Sequence, residues 1–225
     1  MCVTTPSPRR SLVWRNYFDK QQLPTNNLFF INAFSNFYPQ INMIEEYLRR
    51  MTGSGKSPPR KPHHKIGWSW LGAFIGIYSV STISSWLQID TLDSLFLVGS
   101  FGATAVLIYG APLAEFSQPR NLVGGHIISA FIGISVYKYL PLNIETLSAL
   151  AVSLSIVAMH YSRTLHPPGG ATALIAVIGS DTIHGLGYLY VVSPIGLGVL
   201  IMLAVALVIN NLSSNSKRHY PRYWL

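Results

Sequence analysis

Between Ile66 and Leu212 the chain is a near-continuous series of apolar segments separated by short polar breaks, and this run decides what the chain can fold into. The segments are residues 66–87, 95–114, 122–140, 144–161, 169–179 and 186–212. In a bilayer every backbone polar group must be paired within the protein, so such segments become helices. Four of them are read as long spanning helices of the ~20-residue class. Charged residues are 11% of the chain against 49% hydrophobic, with mean hydropathy +0.34. A soluble domain carries about a quarter charged residues. The chain therefore reads as an all-α integral membrane protein.

The fifth segment is too short to span as helix alone, since about 11 residues cover only ~16 Å. It is preceded by Leu165–Leu174, LHPPGGATAL, which sets a titratable ring, two prolines and two glycines among apolar residues. Prolines push the residues before them out of the α region. Leu165 to Gly170 is thus expected to be extended, with a half-helix starting at Gly170, and residues 163–170 add on the order of 20 Å to the crossing. Gly102-Ala103-Thr104-Ala105 repeats Gly170-Ala171-Thr172-Ala173 identically, 68 residues upstream. A second break is expected at Gly99 to Gly102. Three segments per repeat make the second repeat inverted relative to the first, which turns the two half-helix starts toward each other near the midplane.

Facing helix N-termini offer unpaired backbone N–H groups and roughly half a positive charge each, which is an anion-binding geometry. Gly102, Ala103 and Thr104 with Gly170, Ala171 and Thr172 are the expected substrate-binding residues, the two threonine hydroxyls serving as additional donors. Tight helix packing by small residues is the alternative reading of the same letters. His166 lies at a depth where charge is costly, so it is expected to be neutral, or to titrate with its ligand as a donor or proton relay. Its other reading is a ring that satisfies carbonyls left unpaired by the prolines. Pro167, Pro168 and Gly169 are structural, keeping the lead-in extended.

A second cluster, Ser117–His126, reads SQPRNLVGGH. Pro119 and Arg120 precede a helix expected to start near Asn121, and Gly124 and Gly125 let another backbone approach closely. Arg120 can attract anions at the inner mouth or simply anchor the interface. His126 faces either the pore or a carbonyl. His160 and Arg163 border the inner face. Trp68, Trp70, Trp86 and Tyr188 fall near segment ends as an aromatic belt.

With six crossings and the N-terminus inside, Arg120, Arg163 and the basic C-terminus are inside while Asp90, Asp93 and Asp181 are outside. Only Lys138 is misplaced, a better match to positive-inside bias than four spans with two re-entrant segments. Both termini then share the basic inner face. Residues 1–43 are expected to be a disordered or targeting tail, and 44–65 a short amphipathic helix followed by a basic, Pro-rich linker. Residues 66–212 form the transmembrane domain and 213–225 a basic tail. The net charge of +8 is concentrated at the ends as a topology signal, and no nucleic-acid partner is expected. The single cysteine, Cys2, excludes an intrachain disulfide and a thiolate metal cluster. No metal and no cofactor are expected. Gly72 and Gly76 serve either a homo-oligomer face or packing within one chain.

The motifs LHPPGGATAL at 165–174 and SQPRNLVGGHIISAFIG at 117–133 resemble the HPP family of integral membrane proteins, over about Ile66 to Leu212. The resemblance implies four transmembrane helices, with His166, Pro167 and Pro168 as signature residues. It also implies transport of a small anion, nitrite in plastid and cyanobacterial members, and so a bacterial or cyanobacterial inner membrane or a chloroplast envelope. The expected function is a permease or channel for a small monovalent anion. The alternative is a non-transporting scaffold or regulatory subunit. An enzyme is not expected, because the central segments contain no carboxylate or cysteine to serve His166 as a partner.

Overall fold

The computed structural model describes residues 43–52, 55–87, 91–215 and 218–225. The expectations for residues 1–42 lie outside these. The chain divides into two units, Met1–Pro59 and Arg60–Leu225. Helix α1 (residues 43–51) belongs to the first, and carries an ion pair from Glu46 to Arg49 at 2.7 Å, one turn on.

The second unit is helical throughout its ordered elements. Helix α2 is His63–Trp86, and α3 is Thr91–Ala105, continued by a π turn at Val106–Gly110. A 3-10 turn at Glu115–Ser117 leads into α4, Pro119–Tyr139, and α5 is Ile144–Tyr161. Helix α6 is Pro167–Ile178 and α7 Asp181–Leu186; a π turn at Val191–Gly196 opens α8, Leu197–Leu212. Among the described residues four helical stretches are long and apolar enough to cross a membrane: His63–Trp86, Pro119–Tyr139, Ile144–Tyr161 and Val191–Leu212. Two are shorter, Leu97–Gly110 and Pro167–Ile178.

Local chemistry explains the boundaries. Pro119 and Pro167 open α4 and α6 at positions where the missing N–H is not needed. The Asn143 side chain caps α5 by accepting from Thr146 N at 2.9 Å. At the far end of α5, Thr164 N donates to Met159 O and Arg163 N to His160 O, the two bonds of a Schellman motif. Arg163 therefore takes the left-handed position, φ 59°, that glycine usually fills.

Contacts along the helices fix their directions. His166 sits against Gly125, Gly169 against Ser129, and Ala173 against Gly133, so α4 and α6 run parallel. Ser180, just past the end of α6, binds Asp93 near the start of α3. Thr104, near the end of α3, meets His166 at the start of α6. Helix α3 is thus antiparallel to α6, and both short segments run from one end of the bundle to the other. Neither returns to the end it left, as a re-entrant segment must. Arg218 donates to Lys65 O at 3.4 Å and to Tyr109 O at 2.9 Å, which places the start of α2 and the C-terminal tail at the same end.

Two expected breaks are corrected. The turn after His166 is helical from Pro167 rather than from Gly170, because adjacent prolines at the first two helix positions have no N–H to satisfy and a φ already suited to the helix. Of Leu165 to Gly170 only Leu165 and His166 stay outside the helix, and His166, the residue before Pro167, is extended. Helix α3 runs unbroken through Gly99 and Gly102, so Gly102-Ala103-Thr104-Ala105 ends a helix instead of starting one.

Gly72, Gly76, Gly124 and Gly125 are packing devices. A Cβ on Gly125 would lie 2.5 Å from His166 Cβ and 2.9 Å from Thr164 O, and one on Gly124 2.5 Å from Thr164 Cγ2. This is the close backbone approach that the Gly-Gly pair predicts. A Cβ on Gly72 would lie 2.7 Å from Tyr109 Cδ1, and Gly76 also faces that ring. The pair on α2 therefore serves packing within one chain. Trp70, Phe74 and Tyr78 stack along the opposite, exposed side of α2, with centroids 5.7 and 6.1 Å apart.

Gly125→Ala is expected to destabilise the bundle by about 1–3 kcal/mol through overpacking. Gly170→Ala, where the new methyl meets only Val152 Cγ1 at 3.7 Å, is expected to leave the thermal midpoint in detergent unchanged or raised. Equal midpoints for the two variants would contradict the assigned packing.

Candidate functional site

Five polar side chains that the fold buries completely or nearly so meet between α3, α4 and the start of α6: Ser100, Thr104, His126, His166 and Thr172. Their contacts form one chain. Ser100 Oγ lies 3.0 Å from Thr172 Oγ1, and Thr172 Oγ1 2.7 Å from His126 Nδ1. His126 Nε2 lies 2.8 Å from Thr104 Oγ1, which is 3.3 Å from His166 Nε2. His166 Nδ1 reaches the Phe116 carbonyl at 2.7 Å. The two rings are tilted with centroids 4.9 Å apart, and Phe101 closes the apolar side of His126 at 5.5 Å.

The partners determine the protons. A carbonyl only accepts, so His166 Nδ1 carries the hydrogen and Nε2 of the neutral ring accepts from Thr104. A hydroxyl has one proton, so His126 Nε2 must donate to Thr104 and His126 Nδ1 must accept from Thr172. Ser100 then donates to Thr172 and also approaches Pro168 O at 3.2 Å. Thr104 can instead turn to Ser100 O at 3.3 Å, but His166 Nε2 would then lose its donor. Only one arrangement gives all four ring nitrogens a partner, and buried polar groups are rarely left without one.

The donors differ from those expected. Ala103 and Thr104 lie inside α3 and Ala171 and Thr172 inside α6, where their N–H groups belong to helix ladders. At the start of α6 two prolines supply no N–H and Gly169 N donates to His166 O at 2.8 Å. No pair of facing N-termini forms, and the backbone-amide anion site is corrected on that ground. The threonine hydroxyls do converge, together with both histidines. Gly102 has open space around it, and Gly170 faces only Val152; neither enters the cluster.

On one side of the cluster lies a cavity of about 760 Å³, bordered by Phe116 and Leu165. Its charged and polar lining is Arg120, Arg163, Arg222, His160, Glu115 and Asn121. Arg120 donates to Ser162 O at 2.9 Å, tying α4 to the end of α5. Asn121 donates to Leu165 O at 2.9 Å, while its Oδ1 is buried with no hydrogen-bond partner. Phe116 and the chain at 164–166 separate this basic vestibule from the sealed histidines.

The C-terminal tail contributes more than a basic surface. Tyr220 donates to Ser117 O at 2.8 Å, and Arg222 N donates to Gln118 Oε1 at 2.7 Å. Helix α3 ends with carbonyls that need donors; Ser117 serves Leu107, Asn210 serves Ile108, Arg218 serves Tyr109 and Lys61 serves Gly110. The sequence reading missed Arg218 and Tyr220, because a basic tail gives no sign that it folds back over a helix end. The unusual weight of Tyr, Trp and Pro in residues 219–225 was the available signal.

Residues 58–221 match the model of the HPP transmembrane region family. Two Dictyostelium discoideum proteins, each described as a transmembrane protein, are both 44% identical to the chain, over 182 and 187 residues. Each alignment covers 80% of this chain, which spans 57% and 64% of the relatives' lengths. No solved structure matches.

Thr172→Val is expected to cost about 1–3 kcal/mol, the penalty of leaving His126 Nδ1 buried without a donor. Thr172→Ser should recover most of it. Thermal unfolding of the two variants checks this, and an undiminished valine variant would contradict the assigned network.

Proposed function

Because the chain belongs to the HPP transmembrane region family, we propose that it is a permease or channel for a small monovalent anion, nitrite being the specific substrate. The observation that carries the reading is a basic cavity set directly against a buried cluster of hydroxyl and imidazole groups. Arg120, Arg163, Arg222 and His160 raise the local concentration of anions at the cavity by long-range attraction. Thr104, Thr172, His126 and His166 then offer O–H and N–H donors to an anion of a few atoms, in exchange for the bonds they make with one another. A large organic substrate does not fit this arrangement, since every member of the cluster is within hydrogen-bond reach of another. The bundle's two sets of long segments, α2–α4 and α5–α8, run in opposite senses, a relation that suits rocking of one set against the other.

Arg163 supports the cavity's role independently. A left-handed residue with a side chain costs about 1–2 kcal/mol relative to glycine. Strained positions persist where another requirement holds them, and here the side chain lines the cavity.

The scaffold reading draws on one observation, that the cluster is internally satisfied without a ligand. The two readings separate in proteoliposomes. A permease takes up nitrite saturably, with formate and nitrate as competitors, and loses uptake when Thr104 and Thr172 are both replaced by leucine. A folded, inserted wild-type protein with no uptake of any of these anions would favour the scaffold, and uptake surviving the double replacement would remove the cluster from the path. Arg163→Gly is expected to keep or raise thermal stability while weakening apparent nitrite affinity at low salt, with the deficit shrinking as salt screens the vestibule.

A further inference from the structure

The geometry points to a proton relay through His126, so that the anion crosses together with a proton. This rests on the permease reading and adds the coupling to it. The relay is the ordered chain Ser100–Thr172–His126–Thr104–His166, whose four successive contacts are 3.0, 2.7, 2.8 and 3.3 Å. Thr172, His126 and Thr104 each accept from one neighbour and donate to the next along one direction, and an imidazole between two hydroxyls can take a proton on one nitrogen while releasing the other. His126 is the member whose side chain bridges the two threonine hydroxyls, one on each ring nitrogen, and it is fully buried.

A proton supplied by hydronium at the Ser100 end bonds to Ser100 Oγ, whose own proton passes to Thr172 Oγ1. Thr172 gives its original proton to His126 Nδ1, and His126 releases the Nε2 proton to Thr104 Oγ1. Thr104 in turn gives its own proton to His166 Nε2. Each hop forms one bond and breaks one. Each hydroxyl ends with one proton and His126 ends as its other neutral tautomer, with hydrogen on Nδ1, which reverts before the next passage; the net product is an imidazolium at His166. Its charge lies just behind Phe116, next to the vestibule, toward which the anion and the proton both travel from the opposite end of the bundle. An anion paired with that imidazolium has no net charge, which removes most of the cost of placing either ion in the bilayer interior.

The surroundings suit a relay rather than a fixed ion pair. Helix α3 presents Phe101 and Thr104 to His126, and α6 presents Thr172, with His166 just before it. The Tyr190 hydroxyl donates to the Thr172 carbonyl at 3.1 Å and leaves the threonine side chain free for His126. Beyond Phe116 stand Arg120, Arg163, Arg222, His160 and Glu115. Asp93, bound to Ser180, is two turns from Ser100 on the same face of α3. Among the described residues no carboxylate hydrogen-bonds to either ring, so neither histidine is held permanently charged.

The test uses the full chain in proteoliposomes, with internal pH and nitrite followed together and the membrane potential set by a potassium gradient with valinomycin. The expected result is one proton taken up per nitrite and uptake indifferent to the imposed potential. His126→Gln and Thr104→Val should each lower proton uptake at least tenfold, while Thr104→Ser keeps the coupling. A His126→Gln protein still moving one proton per nitrite, or a wild type whose nitrite uptake carries net charge, would overturn the relay. Where His126→Gln fails to fold, the valine and serine variants of Thr104 decide it by the same ratio. If the wild type moves no nitrite, the permease reading fails. The coupled crossing falls with it, and the hydrogen-bonded chain alone is then judged from nitrogen-15 histidine spectra of the folded protein: hydrogens on His126 Nε2 and His166 Nδ1, both signals displaced by Thr104→Val, uphold that chain. The opposite tautomers overturn it.

Discussion

A polar group buried in a bilayer-spanning bundle has no water to fall back on, and the structure is built around meeting that constraint at one place. Ser100, Thr104, His126, His166 and Thr172 pair among themselves across three helices. Their positions determine much of the surrounding packing. His166 can reach Thr104 only because Gly125 removes the Cβ that would strike it, and Gly169 can pass Ser129 for the same reason. The prolines after His166 let a helix begin at once without stranded N–H groups. The motif that looks like a chain breaker is thus a compact helix start that holds a ring at a fixed depth.

The lower half of the bundle follows a second requirement, the satisfaction of carbonyls at the end of α3. Four donors from four different parts of the chain converge there, Lys61, Ser117, Asn210 and Arg218. This ties the C-terminal tail across the mouth of the cavity, where Arg222 and Tyr223 join the lining. Arg120 and Arg163 face the same space from α4 and the end of α5. Positive charge therefore collects at one end of the bundle, beside the stretch of backbone at Phe116 and residues 164–166 that separates the cavity from the histidines. Asp93 and Ser180 close the other end.

The helical class, the four long spanning segments and the close approach at Gly124 and Gly125 were legible in the sequence, because each rests on apolar runs or on the absence of a side chain. His126, His166, Thr104 and Thr172 were legible as residues of interest, and they do come together. The reason assigned to them was wrong in detail. The repeated Gly-Ala-Thr-Ala implied two helix starts, yet Gly99 and Gly102 do not interrupt α3, whose tertiary packing outweighs the roughly 1 kcal/mol that each glycine costs a helix interior. The hydroxyls meet through tertiary packing of antiparallel helices, which no local pattern encodes. The folded-back tail was missed for the same physical reason: the donors of Arg218 and Tyr220 find carbonyls more than a hundred residues away.

The central claim is that the hydroxyl and imidazole cluster lies on the path of the anion. Replacing Cys2, the chain's one cysteine, by serine and placing a cysteine at Thr172 makes the claim directly measurable with a small charged thiol reagent. The account predicts that the introduced thiol is modified during turnover and that nitrite slows the modification in proportion to its occupancy. A thiol that stays unmodified in actively transporting protein, or one modified at a rate nitrite does not change, would contradict it.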